Sequence, residues 1–309
     1  MQQEGRLISV VIPCYNCERY IEESVRSVLS QTYQGFEILC VNDGSSDATL
    51  KVLEDIQRID SRVKVYDVPN GGGAKARNIG FENSLGDYIQ FLDSDDVLLP
   101  NKFELQLKHL SEGSNLVFSD YVIKDESLNE IEFKSDLKTV EKDFLNGVIH
   151  KILITNNPIY SREIVEKVGG YTEGLSNCQD WEFHIKLALT NMVKPKFIDE
   201  VLFENRNLSN SVSNNWIEVG FHQCKIIKEY KKKLSTVDLA NTTNVYITNL
   251  YLNGLVHFKE NKYIEAYELK NEFKIWQKKA GKFTTGLKWF IYMIFGLKTL
   301  VFLSKKIKR

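Results

Sequence analysis

Asp87-Tyr88-Ile89-Gln90-Phe91-Leu92-Asp93-Ser94-Asp95-Asp96 decides how the rest of the chain is read. Residues 87–92 form a short run of aromatic and branched residues, which predicts a buried strand. Three carboxylates follow within four positions. Like charges that close are costly unless a cation neutralises them. A hard divalent ion does so through oxygen ligands, and Mg2+ or Mn2+ typically joins one or two carboxylates to a substrate's phosphates. The alternative is that Ser94 or Asp95 caps the next helix.

The same punctuation recurs upstream. Leu7–Ile12, Phe36–Val41 and Val63–Val68 read as buried strands, with Pro13 ending the first because proline removes a ladder donor. Between them lie helical patterns over 18–31, from Asn42-Asp43-Gly44-Ser45-Ser46-Asp47 to about Ile59, and over Ala74–Ser84. Strands alternating with helices imply right-handed crossovers and a parallel sheet with helices on both faces. Ligands of such sheets gather at the carboxyl ends of the strands, where turns 13–17, 42–47 and 93–96 all fall.

Downstream, a strand is expected over Leu116–Val122, helices over 140–153, 161–168 and Asp180–Leu189, and a strand over Lys196–Phe203. After Trp216 the pattern is helical and basic. The chain carries a net charge of −1, but its last stretch, Lys225–Arg309, has 18 basic against 6 acidic residues. That asymmetry does not describe a uniformly basic nucleic-acid binder. Five cysteines at 14, 17, 40, 178 and 224 suit a reducing compartment better than a disulfide framework. The polar start, Met1 to Arg6, leads into a strand without a secretory pattern.

Residues 283–303 are the most apolar stretch, but the unbroken run from Trp289 to Leu297 is too short for a span of about 20 residues. Lys288, Lys298 and the closing Lys305, Lys306, Lys308 and Arg309 flank it. That pattern suits a helix lying in a membrane interface, its lysines on anionic lipid. A helix packed on the body is the alternative.

Other segments carry candidate chemistry. Asp43, at a strand end, can accept hydrogen bonds from a nucleobase, while Ser46 or Asp47 suits a helix cap. Gly71-Gly72-Gly73-Ala74-Lys75-Ala76-Arg77-Asn78 puts two cations at a helix start, within reach of a diphosphate. Asp180, entering a helix in Cys178-Gln179-Asp180-Trp181-Glu182, suits either a general base or an N-cap, and Trp181 is a candidate lining of the acceptor site. Neither a Gly-x-Gly-x-x-Gly turn nor a P-loop occurs, which excludes the common dinucleotide and NTPase signatures. Cys14-Tyr15-Asn16-Cys17 has redox spacing but no partner pair for zinc.

Taken together, Val10-Val11-Ile12-Pro13-x-Tyr15-Asn16, Val41-Asn42-Asp43-Gly44-Ser45-x-Asp47, Ala76-Arg77-Asn78-x-Gly80, Phe91-Leu92-Asp93-Ser94-Asp95-Asp96, Gly169-Gly170-Tyr171 and Gln179-Asp180 resemble glycosyltransferase family 2. The resemblance covers roughly residues 7–215 and implies a GT-A fold: a Rossmann-like α/β, mixed, mainly parallel sheet. It implies a nucleotide-binding half over about 1–96 and an acceptor half over 97–215, and the basic helical C-terminal extension read above occupies 216–309. Pro13 and Tyr15 would lie beside the base, Asp43 would hydrogen-bond it, and Arg77 would contact base or diphosphate. Asp93 would hold the ribose or the metal's water shell, Ser94 would lie in the donor pocket, Asp95 would ligate Mg2+ or Mn2+, and Asp180 would be the base of an inverting transfer.

The implied donor is a nucleotide-diphosphate sugar, a UDP-sugar foremost. The implied acceptor is a polysaccharide or lipid-linked glycan, handled at the cytoplasmic face of a membrane. Two features depart from the family pattern: Gln179 stands where Glu is frequent, and Leu208 where many members have a histidine. A nucleotidyltransferase shares this kind of sheet, but Pro13–Glu18 lacks its Gly-rich basic segment. A scaffold that has lost activity is opposed by the intact Asp43, Asp95 and Asp180.

Overall fold

The computed structural model describes residues 5–134, 137–150 and 153–208, and beyond them 219, 222, 223, 225, 226, 229 and 230. The chain divides into two compact units, Met1–Ser211 and Val212–Arg309. The helical extension expected over 216–309 lies outside the described residues except at the isolated positions just given, which are helical. The apolar stretch 283–303 lies outside them entirely. Among the described residues no helix is long and apolar enough to cross a membrane.

The first unit opens with β1 (Ile8–Cys14), α1 (Ile21–Leu29), β2 (Phe36–Asp43), α2 (Thr49–Ile59), β3 (Val63–Val68), α3 (Gly73–Glu82) and β4 (Tyr88–Phe91). These four strands lie in the order β3-β2-β1-β4, all parallel. Every residue of β2 and β4 is buried, and so is all of β1 but Pro13, as befits strands covered on both faces. α1 buries Ile21, Val25 and Val28 on one stripe, with Glu22 and Glu23 at its positive end. α3 packs so close to β1 that a Cβ on Gly80 would come within 2.3 Å of Val11 Cγ1.

The second part adds β5 (Val97–Leu98), α4 (Lys102–Ser111), β6 (Leu116–Lys124), β7 (Glu130–Lys134), α5 (Lys138–Lys142), α6 (Phe144–His150), β8 (Ile159–Ser161), α7 (Arg162–Val168), α8 (Gln179–Leu189) and β9 (Pro195–Arg206). The full sheet runs β3-β2-β1-β4-β8-β6-β9-β5, with β7 hung on β6. β8 is antiparallel to both β4 and β6, whereas β6 and β9 are parallel. A register shift around Asp120 in that last pair marks a bulge.

Three expectations need correction. Pro13 does not end the first strand, which pairs with β2 through Cys14. Leu92 N bonds Val11 O, so the nitrogen of residue 13 faces beyond the last β4 pair, where a missing donor leaves no gap. The helix expected over 140–153 is two short helices. Asp143 turns extended between them and caps the second, its backbone O accepting from Gly147 N at 2.7 Å and its Oδ1 from Asn146 N at 3.1 Å. The helix expected straight after the acidic turn is preceded by β5, so neither Ser94 nor Asp95 caps it.

Candidate active site

At the carboxyl ends of β1 and β2, two loops are laced together. Asn16 N donates to Ser45 Oγ at 3.0 Å and Asn16 Oδ1 accepts from Ser46 N at 2.8 Å. Asp47 Oδ2 accepts from Glu18 N at 3.2 Å, and its Oδ1 takes Thr49 N at 3.0 Å, serving the first turn of α2. Asn16 adopts a left-handed φ of 47°, which asparagine tolerates. Between these tethers Tyr15 is 55% exposed, its ring free to receive a flat ligand. Pro13 is half-buried at the same edge.

Asp43 is buried at the end of β2. Its carboxylate accepts Gly71 N at 2.7 Å and Gly72 N at 2.8 Å, and its carbonyl accepts Asn70 Nδ2 at 2.8 Å. Those amides at the start of α3 are therefore engaged by a protein carboxylate. Of the two cations expected there, Lys75 is exposed and Arg77 is buried.

The three carboxylates after β4 have separate fates. Asp93 receives Arg77 Nη2 at 2.6 Å. Asp95 is half-buried, and burial, then the Asp93 charge, pushes its carboxyl up to about 6. Asp96 is turned inward and pinned by Asn205 Nδ2 at 2.9 Å, Arg206 N at 2.7 Å and Asn156 Nδ2. Burial, then its two acidic neighbours, raises it well above the usual carboxylate range. Asp96 thus ties β9 to the acidic turn, and a cation would find Asp95 with Asp93. Ser94, between Asp93 and Asp95, is half-buried.

Across from this turn, Asp180 occupies the second position of α8. The N-cap of α8 is Cys178, in a left-handed conformation with no side-chain cap hydrogen bond. Instead of capping its own helix, Asp180 Oδ2 accepts Thr155 N at 3.1 Å. Arg77 links the two sides: Nη2 holds Asp93, while Nη1 donates to Gln179 Oε1 at 3.0 Å. Burial pulls this guanidinium's pKa down, but the charges of Asp93 and Asp180 outweigh it and raise the pKa. Its carbon lies 5.2 Å over the Tyr171 ring.

Tyr171 stacks on Phe183 at 4.3 Å, and Asn78 brackets its backbone, donating to Tyr171 O at 2.9 Å and accepting Tyr171 N at 2.8 Å. The preceding Gly170, at φ 69°, has no Cβ because one would lie 2.5 Å from Asn78 Oδ1. Trp181 does not line an acceptor site: it is 1% exposed, a core residue.

Arg206 closes the far side. Its guanidinium bonds Glu23 Oε2 at 2.5 Å and lies 4.8 Å over Tyr20, and its charge opposes the rise at Asp95. Leu208 is half-buried and offers no ligand atom. Among the described residues, no three His, Cys, Asp or Glu side chains form a ready-made metal cage. One or two hard carboxylate oxygens at an open edge nevertheless suit Mg2+ or Mn2+, which fill their remaining positions with water and phosphate. Residues 155–157 bond to several of these groups, yet no sequence signal singled them out.

A parallel half-sheet with acidic groups beyond its strand ends, facing a helix-borne aspartate from the mixed half, defines a GT-A glycosyltransferase. Residues 9–169 match the family model for glycosyl transferase family 2, and the chain belongs to that family. It is 27% identical over 274 residues to an uncharacterised glycosyltransferase of Rickettsia typhi, covering 85% of this chain and 83% of the relative. It is 32% identical over 206 residues to glycosyltransferase GlyG of Streptococcus pneumoniae, covering 65% and 61%.

Among solved structures, S. aureus TarS 1–349 in complex with UDP-GlcNAc superposes with a TM-score of 0.61 at 20% identity, covering 86% of this chain and 91% of that one. The mannosyltransferase PcManGT from Pyrobaculum calidifontis, in complex with GDP-Man and Mn2+, gives 0.60 at 15% identity, covering 96% and 83%.

Proposed function

We propose that this enzyme transfers a sugar, with inversion, from a nucleotide-diphosphate sugar to a hydroxyl of a polysaccharide or lipid-linked glycan. The observation that carries the reading is the Asp93–Arg77–Gln179 bridge, which joins the acidic turn after β4 to the first turn of α8, where Asp180 stands. Tyr15 is the exposed platform for the base, with Pro13 at the same edge and Asp43 buried at the end of neighbouring β2. Asp93 and Ser94 line the sugar-nucleotide side. Asp95, with Asp93, would hold Mg2+ or Mn2+, whose chemistry is to neutralise the departing diphosphate.

Asp180 accepts the proton of the attacking hydroxyl. Its Oδ2 is oriented by Thr155 N, so the carboxylate is held for one direction of approach. Arg77 supplies fixed positive charge between the two acidic groups without being consumed by either. A UDP-sugar is the favoured donor, in keeping with the ligand of TarS, although the GDP-Man of PcManGT suits the same fold. The basic, apolar sequence of residues 283–309 supports attachment to the cytoplasmic face of a membrane, close to a lipid-linked acceptor.

The test is nucleotide release from a panel of UDP- and GDP-sugars, with and without Mn2+. Asp95→Ala should abolish the metal-dependent part. Asp180→Asn should leave nucleotide binding within about threefold while transfer falls roughly 100-fold or more. Normal turnover by Asp95→Ala removes the metal role, and normal transfer by Asp180→Asn removes the base.

A further inference from the structure

Thr155, Asn156 and Asn157 follow α6 and precede β8, and they are 0%, 1% and 0% exposed. Three consecutive buried polar side chains require partners, since an unmet polar group in the interior costs about 1–3 kcal/mol. Each residue finds them on a different element. Thr155 Oγ1 lies 3.4 Å from Tyr171 OH, and its backbone N donates to Asp180 Oδ2 at 3.1 Å. Asn157 brackets Ser119 of β6, accepting its N at 2.7 Å and donating to its O at 2.7 Å. Asn157 O also accepts Lys102 Nζ at 2.8 Å and Gln106 Nε2 at 3.2 Å, both from α4.

Asn156 lies between these two anchors and meets the acidic turn. Its Oδ1 accepts Asp93 N at 2.6 Å. Its Nδ2 donates to Asp96 Oδ2 and, at 3.4 Å, to Asp93 Oδ2. Its carbonyl takes Gln90 Nε2 at 3.0 Å. One amide therefore fixes the backbone where Asp93 begins and stands between two carboxylates that would otherwise face each other undamped. Only asparagine offers one acceptor and two donors in a plane of this size. Aspartate would add a third negative charge, and alanine would leave Asp93 N without its acceptor.

We propose that Asn156 is a positioning residue for glycosyl transfer: it sets the acidic turn at the end of β4 against Asp180 on α8, and so fixes how far the donor's diphosphate lies from the hydroxyl losing its proton. The inference rests on the roles given above to Asp93, Asp95 and Asp180. It adds that their spacing is set by a buried segment belonging to neither element. Gln90, Asp93 and Asp96 are on one side of that segment, and Asp180 and Ser119 on the other.

The experiment uses the full chain and the same panel, UDP-GlcNAc and GDP-mannose included, reading kcat and KM for nucleotide release alongside the melting temperature. Asn156→Ala should lower kcat about tenfold or more, as loss of hydrogen bonds to charged groups predicts, while donor KM rises less than threefold. Asn156→Asp should be slower still. The exchange Asn156→Asp with Asp96→Asn restores a donor opposite an acceptor at unchanged net charge. It should recover at least half of the kcat lost by Asn156→Asp alone.

If Asn156→Ala keeps wild-type kcat at temperatures where it is folded, with only its melting temperature lowered, the residue is structural and the inference is overturned. An exchange variant no faster than Asn156→Asp overturns it equally, since the bond would then carry no positional information. A wild-type chain that releases nucleotide from none of the panel overturns the underlying donor reading instead, and is told apart by that result.

Discussion

Arg77 donates to Asp93 at 2.6 Å and Tyr171 lies 5.2 Å beneath the same guanidinium, so one buried cation is gripped at its edge and at its face. Its second nitrogen reaches Gln179. Where many family members carry glutamate, this chain has a neutral amide, and Asp93 is the carboxylate that bonds Arg77 directly.

Arg77→Lys keeps a charge but loses the planar fork and the stacking. The shorter lysine offers one nitrogen where the guanidinium sends two separate nitrogens to Asp93 and Gln179, so the paired geometry of the bridge is lost. Stability should fall by about 2 kcal/mol, less than the 3–5 kcal/mol of a fully buried pair because Asp93 is partly open to solvent. Turnover should fall about tenfold or more. Denaturant melts and steady-state kinetics read the two effects, and wild-type values in both would show that the bridge does nothing.

Gly80→Ala puts a methyl 2.3 Å from Val11 Cγ1 in the seam between α3 and β1. Overpacking of this kind costs about 1–3 kcal/mol, and the better helix propensity of alanine returns roughly 1. A melting temperature lower by about 2–6 °C is expected in differential scanning calorimetry. An unchanged or higher value would mean that the seam opens freely.

His184 is fully buried, shares a 2.8 Å hydrogen bond with Tyr160 OH, and burial pulls its pKa down to about 3. The unfolded imidazole titrates near 6.5, so the unfolded chain binds the extra proton first. The stability tied to the neutral ring is complete above pH 6.5 and drains away as pH falls from there to about 3. The slope approaches about 1.4 kcal/mol per unit. Comparing urea midpoints of wild type and His184→Gln at pH 7 and pH 5 isolates the ring, because the carboxylates titrate alike in both. Equal losses in the two proteins would refute the assignment.

Removing residues 283–309 should release the protein from vesicles containing anionic lipid while leaving nucleotide binding in place. Raised salt should weaken the attachment of the intact chain. Sedimentation of the truncated form with the vesicles would rule out the tail as the anchor.

The alternation of apolar runs and polar turns made the first four strands, their helices and the edge that bears the site legible in advance. That is because buried parallel strands leave an unbroken apolar signature. β5, β7 and β8 were not legible, being too short to show a period. Composition and spacing alone made the three carboxylates of the acidic turn equivalent, and only the family resemblance assigned Asp93 to the donor and Asp95 to the metal. Only the fold separates Asp96, claimed by Asn205 and Arg206 more than a hundred residues later, from Asp95 at the opening. Asn156 gave no signal at all: an isolated amide has no periodicity, and its partner Asp93 is 63 positions away. Trp181 was misread because its neighbour Asp180 suggested an opening, whereas a helix alternates faces within one residue.

The Gly71 and Gly72 amides, which in many nucleotide enzymes would cradle a phosphate, already embrace Asp43. An anion drifting toward that helix start meets a resident of its own sign. The pyrophosphate of the proposed donor would therefore have to find its counterweight elsewhere along the edge. With the donor proposed above, charge balance would rest on whatever cation arrives with the nucleotide or waits beside it, and bare phosphate would find a poor host at this helix start.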